Sequence, residues 1–434
     1  MASSRDPQIA VVGASLTALT FTLSLLHHNP SLDPSRITLY ESRPPADQPG
    51  GQWLTRGASA SENPTRPWLL TPNSLKILAK LGIYERIKDK AFAMSKTVYR
   101  DVDGKFLGSA TFGGVEEFGY DALRIERMVL LPILLQVIES KGIKINYHTS
   151  VRGILAEDDS GITFSIRQNN HTQTLKTDLL IGCDGIHSKI RPHVLDHPCN
   201  LTYHGMIMVP FKFDTNKIRY TTGFDPSELS LGVLTAKGAI MMVPADPSGT
   251  PSMSFRQFKY PEQTREGWEA LDADKEKLAK MLTEDIEEWA SESDFVRSIF
   301  EQVKAQDTLV WPVYSLPKLD RWVSEGGKVV IIGDAAHSLI PAAAQGANVS
   351  IEDSWTLARV LGGTISEQKN DVKNDALQHW QATRNERIAK VQKLSLQLMN
   401  ARLPPQEQAK LPKDQVFDFE SQGNDLKWLF EGVD

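Results

Sequence analysis

Three short segments combine small residues with an acid, as a site for phosphate and ribose requires. The first reads Gly13-Ala14-Ser15-Leu16-Thr17-Ala18 after an apolar run, and Glu41 closes the next apolar run. Small residues between a strand and a helix let a dinucleotide pyrophosphate approach backbone N–H groups at the helix N-terminus, and an acid on the following strand accepts hydrogen bonds from ribose hydroxyls. Only Gly13 matches G-x-G-x-x-G outright. Ser15 and Ala18 stand at the second and third glycine positions, so an ordinary strand-to-helix turn explains this segment equally well by itself. The second segment is Gly182-Cys183-Asp184-Gly185-Ile186-His187-Ser188, continuing to Arg191. The third is Gly333-Asp334-Ala335-Ala336-His337, then Pro341, Gln345-Gly346-Ala347-Asn348 and Glu352-Asp353. Each places glycine or acid at the carboxyl end of a buried strand, where open α/β sheets bind ligands.

Other chemistries find less support. Tyr84 and Lys88 have the Y-x-x-x-K spacing of a hydride-transfer pair, but no glycine-rich start belongs to them. His337 invites a reading as a base, and His187, His27 and His28 stand in no catalytic pattern. Asp184 and Asp334 taken singly read as turn caps. Arg191 reads equally as a cofactor-side ion pair, a contact to nicotinamide phosphate or a surface residue. Cys183 and Cys199 cannot build a disulfide framework, and no metal-ligand spacing occurs. Asn170, Asn200 and Asn348 start chance sequons.

The elements that must position these segments follow from length and pattern. The 434 residues suffice for two or three domains, and 41% hydrophobic with 24% charged residues is an ordinary globular composition. A net charge of −6 argues against a nucleic-acid partner. Residues 9–26 are apolar but interrupted by Gly13 and five hydroxyl residues, so a strand followed by a helix is expected there rather than a membrane span. A reducing, cytoplasmic setting fits two cysteines.

Short apolar runs around 9–12, 37–40, 179–182 and 328–332 read as parallel strands covered on both faces. Helices are expected at Pro72–Lys80, at Arg127–Ser140 with Pro132 in the first turn, over 273–290, and over 350–361. GMIMVPFKFD, ELSLGVLTA, GAIMMVPA and SMSFRQFKY have the texture of an antiparallel sheet. Met206, Met208, Met241 and Met242 are its candidate pocket lining, half of them pointing away by strand alternation. The charged stretch 367–375 reads as a solvated loop. The fold class is therefore α/β: a discontinuous Rossmann-like domain (1–85, 121–192 and 310–365), an excursion at 86–120, an antiparallel-sheet substrate domain at 193–309, and C-terminal helices over 366–434.

The second and third segments match, at nearly every position, the D-G-x-x-S-x-x-R and G-D-A-A-H-x-x-x-P-x-x-G-Q-G-x-N-x-x-x-E-D segments of single-component FAD-dependent aromatic hydroxylases, the family of para-hydroxybenzoate and salicylate hydroxylases. Arg127 resembles that family's Arg-x-x-Leu helix start, and Trp380, Arg384 and Arg387 resemble its late Tyr-x-x-x-Arg-x-x-Arg helix. Ala344 departs from a usual glycine.

The resemblance implies FAD, with Asp334 on the ribityl chain and Gly13, Ala14, Ser15, Glu41, Arg127 and Asp184 along the adenosine and pyrophosphate side. Gly346, Ala347 and Asn348 would open a helix toward flavin N1 and O2, and Pro341 would lie near the flavin edge. The same resemblance implies a structural role for His337. It further implies reduction by NADH or NADPH, capture of O2 as a flavin C4a-hydroperoxide, and oxygen transfer to an aromatic or other electron-rich small molecule, with secondary metabolism as one setting; the chemistry is flavin-centred and the catalytic side chains are unassigned. Two rival expectations use the same fold: a flavin oxidoreductase or cyclase without oxygen insertion, and a scaffold that has lost tight FAD binding.

Overall fold

The computed structural model describes residues 7–45, 48, 67–244, 246–289, 293–366, 374–419 and 426–431. Five short strands make one parallel sheet in the spatial order Val329–Ile331, Leu179–Gly182, Ile9–Val12, Ile37–Tyr40, Lys144–Asn146. The first three are buried at every residue, as strands covered on both faces must be. The helix Leu16–His28 crosses from the first strand to the next and packs against the long helix Gly346–Ser366. Hydroxyls tie the two helices: Thr20 Oγ1 donates to Ser354 Oγ at 3.1 Å, and Ser354 Oγ donates to the Thr17 carbonyl at 3.0 Å.

A seven-stranded sheet stands beside it, ordered Trp311–Ser315, Thr202–Asp214, Pro251–Lys259, Gly238–Pro244, Leu231–Thr235, Lys96–Asp101, Phe106–Thr111. Its ladder is antiparallel except where Leu231–Thr235 runs parallel to Lys96–Asp101, a pairing that alternation of apolar residues cannot foretell. Strand alternation divides its side chains cleanly. Ile207, Val209, Phe211, Ile240 and Met242 enter a core shared with the helical layer of 265–300, while Met208, Pro210, Met241, Val243, Met253 and Phe255 face a large cavity toward the parallel sheet. Of the four methionines expected to line a pocket, Met208 and Met241 do so. Met206 lies in a separate groove with His204 and Tyr260, and Met242 points into the opposite core.

Several local expectations need correction. The span 273–290 is broken into helices Arg265–Ala273, Lys275–Thr283 and Ile286–Trp289. Asp274 ends one and caps the next, accepting from the Lys277 N–H at 3.1 Å. Pro132 is the sixth residue of Arg127–Ser140, past the first turn, so the Met128 carbonyl loses its helical donor. The helix expected at 350–361 extends over Gly346–Ser366. Beyond the helix Asn374–Asn400 the described chain makes only single turns. Residues 367–373 of the expected charged loop lie outside the described residues, as does Ala290. Among the described residues, no helix is long and apolar enough to cross a membrane.

Candidate functional site

The parallel sheet aligns all three chemistry-bearing segments at one edge. The hydrogen-bond ladder runs past the strand ends in a row: Ile332 N to Gly182 O at 3.0 Å, Cys183 N to Val12 O at 2.9 Å, Gly13 N to Tyr40 O at 2.8 Å, and Glu41 N to Asn146 O at 2.9 Å. Segments 170 and 320 residues apart in the chain thus become neighbours where the strand order reverses, the expected ligand crevice of such a sheet.

At the first segment, Gly13 has φ +105° and its missing Cβ would lie 2.7 Å from the Cys183 carbonyl oxygen. Glu41, 7% exposed, accepts from the Ala14 N–H at 3.0 Å and the Arg43 N–H at 2.9 Å, so its carboxylate closes the turn. Ser15 is exposed and makes no side-chain cap, while Ala18 is fully buried at the helix–sheet contact, where its methyl is accommodated.

At the second segment, Asp184 Oδ2 accepts from the Lys189 N–H at 2.6 Å, and Ser188 Oγ accepts from Ile190 and Arg191. Burial pushes the Asp184 carboxyl above its ordinary pKa. Its Oδ1 is buried with no hydrogen-bond partner among the described residues. Arg191 is buried rather than on the surface and, among the described residues, makes no ion pair. It is 5% exposed and donates to the Ala335 carbonyl at 2.8 Å and the Ile186 carbonyl at 2.7 Å, clasping the second segment to the third.

The third segment supplies the cavity floor. Asp334 is open to the cavity yet ringed by protein, and this burial raises its carboxyl pKa against the opposing pull of His337, Arg127 and Arg191. Pro341, Ala344, Gly346 and Ala347 continue the same wall. The Asn348 side chain is fully buried and wholly engaged, Oδ1 accepting from Thr71 N at 2.9 Å and Ser74 Oγ at 2.6 Å, Nδ2 donating to Leu69 O at 2.9 Å. Only its backbone amide is left to face a ligand.

Ala344 holds φ +53°, the left-handed region where the aligned family motif has glycine. Strain there is about 1–2 kcal/mol for a residue with a Cβ, against about 0.4–1 kcal/mol of extra chain entropy that glycine would lose on folding. Ala344→Gly should therefore stabilise the protein by up to about 1 kcal/mol, read as a raised urea midpoint at unchanged m-value.

Behind this wall lies an ion cluster that sequence inspection assigned to a family pattern without seeing its partners. Arg384 donates to Glu352 at 2.8 Å, Asp353 at 2.7 Å and the Val349 carbonyl at 3.1 Å, and Arg387 forks onto Glu352 at 2.6 Å from both Nε and Nη2. Burial alone would raise both acids, but Arg384, with Arg387 at Glu352 and His337 at Asp353, holds them below their ordinary values. Asp353 takes the His337 ring and the Gly333 N–H, which leaves His337 a structural residue behind the sheet. Tyr84 stacks edge-on with Tyr120, and Lys88 pairs with Glu85, so the Y-x-x-x-K pair forms no site.

The cavity itself measures about 1490 Å³. One side is polar: Arg43, Arg127 stacked 4.8 Å over the Trp68 ring, Arg191, Asp334 and the start of helix Gly346–Ser366. The other is the methionine- and phenylalanine-rich face of the seven-stranded sheet. Sequence reasoning missed Trp68, Tyr99, Arg124 and Arg402 on these walls, for they occur singly and carry no spacing signal.

Known proteins share both the sequence and the architecture. A family model described as "FAD binding domain" matches residues 53–395. The chain is 24% identical to the 3-amino-4-hydroxybenzoate 2-monooxygenase PtmB3 of Streptomyces platensis, over 99% of this chain and 96% of that protein. It is 27% identical to the FAD-dependent monooxygenase notI of Aspergillus sp. (strain MF297-2), over 74% and 72%. Among solved structures, a salicylate hydroxylase substrate complex superposes with TM-score 0.74 at 17% identity, covering 100% of this chain and 97% of the other. Klebsiella pneumoniae HpxO complexed with FAD and uric acid gives 0.72 at 18% identity, covering 98% and 96%. With the three segments aligned at one sheet edge and the family match spanning most of its length, the chain belongs to the FAD binding domain family, as an FAD-dependent monooxygenase of the aromatic hydroxylase type.

Proposed function

We propose that the protein uses NADH or NADPH and O2 to insert one oxygen atom into a small aromatic or similarly electron-rich molecule. The two-sided cavity carries this reading. Its volume of about 1490 Å³ exceeds the roughly 300–1,000 Å³ of a site for one small ligand, and its polar and apolar walls suit a dinucleotide and a second, less polar molecule.

The residues present fit FAD. Gly13 leaves backbone close to the Cys183 carbonyl where a side chain would block the turn, and a Cβ at Gly346 would meet no atom within 4 Å, so the helix start is open. FAD, when bound, supplies electron uptake and oxygen activation. Asp334 would hold it by accepting from a ribityl hydroxyl, Arg127 and the Gly13–Ser15 turn would face the pyrophosphate, and the Gly346 and Ala347 N–H groups would stabilise negative charge on the ring system. Pro341 and the Met208, Met241 and Met253 face exclude water from the reacting edge. Free thiols at Cys183 and Cys199 suit a cytoplasmic enzyme.

Asp334 makes this reading pH-dependent in a stated direction. Its carboxyl pKa in the ligand-free protein is already raised by burial, and a hydroxyl donor favours the ionised form. FAD affinity should hold at neutral pH and weaken as pH falls through that raised value, whereas Asp334→Asn should lose affinity by about 10–100-fold at neutral pH and flatten the dependence. Fluorescence titration of FAD from pH 7.5 to 5 reads both.

The overall test is the visible spectrum of protein offered FAD and freed of excess, followed by turnover of an aromatic substrate in labelled O2. Two retained flavin bands and one labelled oxygen in the product are expected. Product without label would leave a flavin oxidoreductase instead, and absence of bound flavin would leave a scaffold.

A further inference from the structure

Four strands of the seven-stranded sheet turn a continuous apolar strip toward the cavity. Their register makes its residues neighbours on one face: Val243 stands opposite Met253, Phe255 opposite Pro210, and Met208 opposite Trp311 on the edge strand Trp311–Ser315. Three gaps between strands make the strip about 14 Å long, more than one substituted ring can cover. Its inner part lies beside Pro341, since Arg402 stands 5.9 Å over the Phe255 ring and donates to the Ala342 carbonyl at 2.9 Å. Its deep end is closed. A Cβ at Gly232 would lie 2.6 Å from the Tyr99 ring, which fills that space, and Phe419 stacks on Tyr99 at 3.7 Å. A molecule with one ring at Pro341 can therefore extend only toward the mouth.

The mouth is built of aromatic rings. Trp268, on the helix Arg265–Ala273, donates from Nε1 to Tyr314 Oη at 3.1 Å, and Tyr314 donates to Glu262 at 3.1 Å. Tyr203 packs against both, its ring centroid 5.0 Å from Tyr314 and 5.7 Å from Trp268. The polar atoms are spent on one another, so the rings are braced. Trp268, Trp311 and Tyr314 nevertheless stay only half-buried and line the cavity, whereas Phe211, Phe295 and Phe300 in the core behind the sheet are fully buried. Aromatic surface held rigid yet left open marks a recognition face rather than core packing. Glu262 and Glu269 line the same lip, and Arg265 is spent on Glu269 at 3.0 Å, so these rings suit an uncharged ring better than a phosphate.

We propose that Trp268, Trp311 and Tyr314 form a second subsite that stacks a distal aromatic ring, so that the substrate of this enzyme is an extended, uncharged-ended molecule of two ring systems. The reacting ring lies beside Pro341 on the Met253 and Phe255 surface, the linker crosses Met208 and Pro210, and the other ring rests at the mouth. This rests on the monooxygenase reading of the cavity, which places the reacting edge at Pro341.

The test is calorimetric titration of the FAD-loaded protein with 4-methoxyphenol, 4-(benzyloxy)phenol, 4-(cyclohexylmethoxy)phenol and NAD+. The benzyloxy compound should bind about 10–100-fold more tightly than 4-methoxyphenol, and about 3–10-fold more tightly than the cyclohexyl compound, which has the same reach without a π face. Trp268→Leu and Trp311→Leu keep apolar bulk, and each should remove most of the phenyl-over-cyclohexyl preference while changing 4-methoxyphenol affinity by less than about threefold. No gain over 4-methoxyphenol, equal binding of the phenyl and cyclohexyl compounds, or a preference that survives in both variants would overturn the subsite. NAD+ displacing the benzyloxy compound but not 4-methoxyphenol would overturn it too, by giving the mouth rings to the pyridine nucleotide. Should a variant fail to fold, the wild-type ratios still decide. A yellow protein without the aromatic preference refutes the subsite alone, and a protein that retains no FAD refutes the flavin reading and the subsite with it.

Discussion

Replacing Arg384 by methionine is expected to cost the fold about 3–5 kcal/mol, a large share of the roughly 5–15 kcal/mol that holds a domain folded. Arg384 is 2% exposed and, among the described residues, is the one cation that touches Glu352, Asp353 and the Val349 carbonyl together. Methionine fills the space but leaves two buried carboxylates short of a cation, Glu352 keeping Arg387 and Asn73, and Asp353 keeping His337 and the Gly333 N–H. The helix Gly346–Ser366 is then clamped to Asn374–Asn400 by the Arg387 fork and the Trp380–Thr356 bond without the central arginine, which weakens the backing of the cavity wall that begins at Gly346. The pH response carries a sign. In the wild type both acids are held below their ordinary values, so their contribution to stability is present above the unfolded carboxylate pKa and is lost as pH falls through the lower folded values. In the variant burial is less opposed and raises them, so stability should be lowest at neutral pH and recover on acidification toward pH 5. Urea midpoints at pH 7 and pH 5 should show a flat wild type, since both points lie above the unfolded carboxylate pKa, and a variant that gains stability at pH 5. A variant as flat as the wild type would mean that the remaining partners satisfy the acids.

The second large effect is expected at Gly13→Ala. A Cβ there would sit 2.7 Å from the Cys183 carbonyl oxygen and 3.2 Å from its carbon, and φ +105° is strained for any side chain. Both obstacles are backbone. The Cys183 N–H is bonded to Val12 O and the Gly13 N–H to Tyr40 O, so neither segment can retreat without opening the parallel sheet. Strain of about 1–3 kcal/mol and overpacking of about 1–3 kcal/mol add to a loss of about 2–6 kcal/mol, with FAD binding lost in what remains folded. Gly346→Ala is the matching control. Its Cβ would meet no atom within 4 Å and the residue opens a helix, so stability should change by less than about 1 kcal/mol while the new methyl narrows the cavity wall. Chemical denaturation beside FAD titration separates the two: the first variant should fail in both, the second in FAD affinity only. A Gly13→Ala protein as stable as the wild type would refute the close approach of the two strand ends.

What the sequence determined by itself is the local chemistry. Four-residue apolar runs followed by glycine and acid announce strand-to-turn junctions, because only covered parallel strands tolerate unbroken Val, Ile and Leu and only glycine or short polar residues make the turn at their ends. The two long motifs named the flavin-dependent family, and period-two alternation separated Met241 from Met242. Length and spacing could not give relations between distant segments. The break at Asp274 went unread because a cap bond and a continuing amphipathic pattern use the same residue types. That the Asn348 side chain is spent on structure went unread because its partners, Leu69, Thr71 and Ser74, lie some 275 residues away. Arg191 looked ambiguous until the sheet brought the Ala335 carbonyl to it. Met208, Trp268 and Trp311 have no joint pattern in the chain. Only tertiary packing, which pairs Met208 with Trp311 across two strands and bonds the helix of Trp268 to the edge strand through Tyr314, brings them to one cavity wall, and only their shared exposure there gives them a chemical consequence.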